Sequence, residues 1–106
     1  MYPNILKFFL DVLSQDPVTL STVKNASEAI TIHNSGVIFD LKSLYLLLLS
    51  EELIPKSASF KAFKNSLYKG GLMNQDLKLS NGIVEVYQSS KNIDSTVYKL
   101  KRIGDE

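Results

Sequence analysis

The residues with the most chemical potential lie in the second half of the chain. If Phe60, Phe63 and Leu67 face a core at helical spacing, Lys61, Lys64, Asn65 and Tyr68 fall at i, i+3, i+4 and i+7 on the opposite side. Two cations, an amide and a phenol on one stripe suit a polyanion. Lysines neutralise phosphates, Asn can pair bidentately with adenine in the major groove, and a Tyr hydroxyl can donate to a phosphate oxygen. The charge distribution points the same way. Residues 1–56 hold four lysines and six carboxylates, whereas residues 57–104 hold eight cations and three carboxylates, so the net charge of +1 is a cancellation between halves. Arg102 is the only arginine beside eleven lysines. Because a guanidinium is the better geometric match to guanine, phosphate tracking is expected ahead of base reading.

Other chemistries find little support. Cysteine is absent, which removes a thiolate nucleophile, a disulfide and a sulfur ligand for zinc. His33 is the only histidine. Ser35 and Asp40 stand near it, but neither sits in a nucleophile-elbow signature. Lys69-Gly70-Gly71 lacks the glycine-rich stretch that precedes the lysine of a phosphate loop, and its glycines suit a helix stop. The expectation is a protein without enzymatic activity, metal or cofactor.

Positioning these side chains falls to one domain. The 106 residues and 44% apolar content fit a single α+β unit spanning 1–106, with its core within 3–103. The N-terminal stretch places Lys7 and Asp11 inside its apolar run and has no signal-peptide pattern. The most apolar run, Leu44 to Leu49, is far below the ~20 residues that span a bilayer. A soluble, cytoplasmic protein is expected.

Ile5, Phe8, Phe9, Val12 and Leu13 recur at helical spacing and predict a first helix. Residues 17–28, led by Asp16-Pro17, lean towards a short second one. From Ala29 to Phe39 the pattern predicts one short strand or a small hairpin, with turn chemistry at Asn34-Ser35-Gly36. Asp40 can cap a leucine-rich helix over 41–50, which Pro55 keeps from continuing. Ser57 or Ser59 can cap a helix over 58–69, ended by Gly70-Gly71. A polar connector follows from Asn74 to Gly82, anchored only by Leu77 and Leu79. The runs Ile83 to Gln88 and Thr96 to Ile103 then read as a hairpin with a polar tip. Val84, Val86, Tyr98 and Leu100 should face inward, and Glu85, Lys99 and Lys101 outward.

The order helix, short strand, helix, tight turn, helix, hairpin resembles the winged helix-turn-helix superfamily. The string from Phe60 to Leu72 looks like a recognition helix leading into a first wing strand. The resemblance covers roughly residues 29–103 and implies a small winged-helix-like domain with three or four helices. It implies double-stranded DNA as partner and a role in transcription regulation. The implied contact residues are Lys61, Lys64, Asn65, Tyr68 and Lys69 on the helix, with Lys91, Lys99 and Lys101 on the hairpin; convergence of these lysines on one face would strengthen the reading, and scatter would leave an ordinary solvated surface. Leu44, Leu46 and Leu47 exceed a narrow apolar stripe and suggest a homodimer contact. The same apolar surplus supports a competing reading as a small protein-interaction module, such as an inhibitor, immunity protein or assembly subunit.

Overall fold

The computed structural model describes residues 2–26, 30–33, 36–68, 71, 73–91 and 95–104. Helix α1 (Tyr2–Leu13) buries the predicted stripe of Ile5, Phe8, Phe9, Val12 and Leu13. Helix α2 (Pro17–Lys24) starts where Pro17 takes the first helical position and Asp16 caps the end. The Asp16 carboxylate accepts from the Thr19 amide at 3.0 Å and from its hydroxyl at 2.9 Å. These hydrogen bonds hold the Asp16 carboxyl below its ordinary pKa. Val23 of α2 is buried and Leu20 packs partly covered against the core, while the cap secures the start of the helix.

Strands β1 (Thr31–His33) and β2 (Gly36–Asp40) form the hairpin foreseen as one of two options; residues 34 and 35 of the expected turn lie outside the described residues. Asp40 closes β2 and caps helix α3 (Leu41–Ser50), accepting from the Ser43 amide at 2.8 Å and hydroxyl at 2.9 Å. Helix α4 (Phe60–Tyr68) follows the turn at Pro55. The expected tally of three or four helices is too low, because the supposed connector coils into α5 (Asn74–Leu77) and a single 3-10 turn, Lys78–Ser80. The Asn74 side chain ties this segment to the sheet. Its amide donates to the Val84 carbonyl at 3.0 Å and its oxygen accepts the Val84 N–H at 2.7 Å, standing in for a neighbouring strand. The Tyr2 hydroxyl donates to Asp76 of α5, which pushes the tyrosine pKa up to about 12. Leu77 is buried as expected, but Leu79 is exposed and anchors nothing.

Strands β3 (Gly82–Gln88) and β4 (Val97–Arg102) complete an antiparallel sheet in the order β1-β2-β4-β3. Its inner face carries Val37, Phe39, Val84, Tyr98 and Leu100 against the helices. Phe39 links the layers, its ring centroid 5.8 Å from Phe9 and 6.0 Å from Tyr98. Two expectations for the hairpin need correction. Lys99 does not project into solvent but is only 8% exposed. β2 pairs on the far side of β4, turning an expected edge strand into an interior one, and Ile38 and Glu85 flank the lysine. Val86 is not part of the inner face either. It lies opposite Tyr98, beside a register irregularity, and is 55% exposed.

The leucine run also divides. Leu44 and Leu47 are consumed in the core, leaving Leu46 as the only one of the three implicated in a dimer that faces outward.

Candidate nucleic-acid interface

Helix α4 is set by local hydrogen bonds at its start and by aromatic packing below. The Ser59 hydroxyl accepts the Ala62 amide at 3.0 Å, which makes Ser59 the capping serine. The Tyr45 hydroxyl of α3 donates to the Ala58 carbonyl at 2.6 Å and fixes the preceding turn. Phe63 and Leu67 are fully buried, and the ring of Phe60 lies partly covered, 5.4 Å from that of Tyr45. With that face fixed, the predicted stripe takes the other side. Lys61 and Asn65 are exposed, Lys64 is half-buried, and Tyr68 lies at the margin.

Tyr68 is more than a surface phenol. Its hydroxyl shares a hydrogen bond of 2.7 Å with the hydroxyl of Tyr98 on the inner face of the sheet. This ties the end of α4 to β4, so Tyr68 aligns the stripe with the hairpin. Lys64 bends back until its Nζ lies 4.7 Å from the Phe60 centroid, a cation–π arrangement that restrains the side chain.

The hairpin residues do not all join this face. Lys91 is exposed near the tip, while Lys69 lies outside the described residues. Lys99 and Lys101 alternate with the inward-facing Tyr98 and Leu100, so both belong to the outer face of the sheet. The Lys101 ammonium is 2.8 Å from the Glu85 carboxylate. Of the eight residues assigned to one footprint, the seven that are described separate into the four of the α4 stripe, Lys91 at the tip, and two lysines turned away from the helices.

Two features of the surface escaped the sequence reading. Val86 and Tyr87 are both exposed near the end of β3, although strand periodicity alone assigns one of the two to the core. Lys42 of α3 reaches the Phe60 ring from another helix, with Nζ 4.9 Å from its centroid. Only tertiary contact reveals that pairing.

No protein-family model matches the chain, and neither a curated protein nor a solved structure matches it. Among the described residues, no group of three or more His, Cys, Asp or Glu is placed to hold a metal ion. No described helix is long and apolar enough to cross a membrane.

Proposed function

We propose that the chain is a non-enzymatic winged-helix module that binds double-stranded DNA and serves in transcription regulation. α4 lies against the duplex, and the β3–β4 hairpin contacts it alongside. The observation that carries the reading is the outer side of α4. Lys61, Lys64 and Asn65 share it, and the helix Phe60–Tyr68 has no carboxylate in its own sequence. The sheet order supports the winged arrangement, because the strand ahead of α3 pairs with the last strand of the hairpin that follows α4. Helices and hairpin thereby share one framework. Lysine in place of arginine favours backbone contact over base discrimination.

Binding to a random-sequence duplex across a salt series tests this. The wild type should bind at low salt, and Lys61→Ala/Lys64→Ala should weaken binding and flatten the dependence of log K on log salt by roughly 2, one unit per lost phosphate contact. A wild type that does not bind at low salt, or a double variant indistinguishable from it, would sink the proposal.

A second reading as a protein-interaction module has its own observation. Val18 at 74% and Leu46 at 52% exposure flank two adjoining grooves of about 480 and 260 Å³ beside α2. The grooves share Thr22 and Glu51 in their linings. Apolar side chains beside a continuous groove are what a docking partner would cover.

A further inference from the structure

We propose that the outer face of the sheet, around Lys99, is a docking surface for a peptide segment of a partner protein that sets one carboxylate among apolar side chains. This face lies on the side of the sheet away from the helices, so the proposal stands or falls apart from DNA binding through α4.

An outward lysine on an open sheet face is normally solvated, yet Lys99 is only 8% exposed. Its register neighbours are Ile38 on β2 and Glu85 on β3, and Val97 and Lys101 lie two positions away along β4 on the same side. No hydrogen bond, ion pair or ring contact joins Lys99 to another side chain among the described residues. The only enclosed side-chain nitrogen or oxygen without a partner among them is Nδ1 of His33, so the Lys99 ammonium is not enclosed: it emerges at the surface while its stem is covered.

The acids of this face are already engaged. Glu85 stands opposite Lys99, but its carboxylate is 2.8 Å from the ammonium of Lys101. Asp40, at the end of β2, has its two carboxylate oxygens bonded by the amide and hydroxyl of Ser43. Lys99 is left without a counter-ion, and a carboxylate from outside complements it.

The surround selects the kind of anion. Ile38, Ile83 and Val97 occupy outward positions, half-buried, and belong neither to the core nor to the apolar side chains packed against it. Val37-Ile38-Phe39 makes β2 apolar on both faces, the pattern of a strand covered on both sides. A duplex needs an array of cations for its hydrated phosphates, and a lone ammonium among isoleucine and valine side chains matches it poorly. A second copy of the chain brings the same lysine and the same engaged acids. A carboxylate flanked by apolar residues fits both parts of the face, with apolar burial giving contact and a charge-assisted hydrogen bond to Lys99 setting position.

The test is an NMR titration of the full, isotopically labelled chain with the capped peptide Ac-Thr-Val-Glu-Val-Thr-NH2 and with the same peptide carrying Gln in place of Glu. The Glu peptide should shift the amides of Ile38, Glu85 and Lys99 and bind roughly tenfold more tightly than the Gln peptide, the effect of one charge-assisted hydrogen bond. Lys99→Met, which keeps an unbranched stem and removes the ammonium, should abolish that preference. The two peptides are compared on the wild-type protein, so the result decides the matter even if the variant does not fold. Equal affinity for both peptides, no shifts with either at millimolar concentration, or shifts on other residues would overturn the proposal. So would duplex DNA shifting the same amides, which would give the face to nucleic acid, or concentration-dependent shifts there with a doubled mass, which would give it to a second copy.

Discussion

Gly36→Ala is expected to destabilise the domain by at least about 3 kcal/mol, at the upper end of what forced overpacking costs. A β-carbon at this position would lie 1.7 Å from the Leu100 carbonyl oxygen and 2.8 Å from its carbon. Both are backbone atoms of the central strand β4, so no side chain can rotate away. The strands must separate where Val37 pairs with Leu100, at the junction that joins the N-terminal hairpin to the C-terminal one. Because small domains are stable by only about 5–15 kcal/mol, such a loss lowers the melting temperature by roughly 15 °C. Urea denaturation measures it. Stability within about 0.5 kcal/mol of wild type, the range of ordinary surface changes, would mean that the close approach of β2 to β4 is wrong.

Phe39→Ala should cost about 3–5 kcal/mol, the range for deleting a buried aromatic ring. Phe39 is 1% exposed and touches Phe9 of α1 on one side and Tyr98 of β4 on the other. Its loss removes transfer energy and leaves a cavity between the helices and the sheet. It also loosens Tyr98, whose hydroxyl holds Tyr68, so the end of α4 should lose order along with stability. Comparing Phe39→Leu with Phe39→Ala in urea separates cavity size from ring loss: the leucine variant should retain most of the stability. A loss below about 1 kcal/mol for alanine would remove Phe39 from the centre of the core.

Those two residues also mark what a sequence can and cannot disclose. The apolar face of α1, the caps at Asp16 and Asp40, the stop at Pro55 and the period-two runs of the hairpin are all local. Spacing along the chain is enough to see them. The pairing of β2 with β4 joins residues some sixty positions apart, and nothing in either strand announces the other. From that one missing pairing came the misreading of Lys99, since a lysine on an edge strand is solvated and the same lysine on an interior strand is covered by its neighbours. The turn of α5 was hidden for a related reason: Asn74 looks like a linker residue until its amide is seen to complete the edge of β3.

The candidate site divides along the same line. The α4 stripe was legible because helical periodicity alone places Lys61, Lys64, Asn65 and Tyr68 together. The approach of Lys42 to the Phe60 ring was not, because α3 reads as a run of leucines and the contact is made across two helices. Counting basic residues in the second half overstated the footprint as well. Lys101 is paired with Glu85 and Lys99 lies on the far side of the sheet, so much of that positive charge does not reach the face of α4.

DNA binding through α4 is tested most directly by titrating a random-sequence duplex at low salt into isotopically labelled protein and following the amide signals by NMR. The predicted result is a set of shifts concentrated on Lys61 to Tyr68, extending to Lys91 on the hairpin, and reversed by added salt. No shifts, or shifts confined to Val18, Thr22 and Leu46 around the α2 grooves, would contradict it.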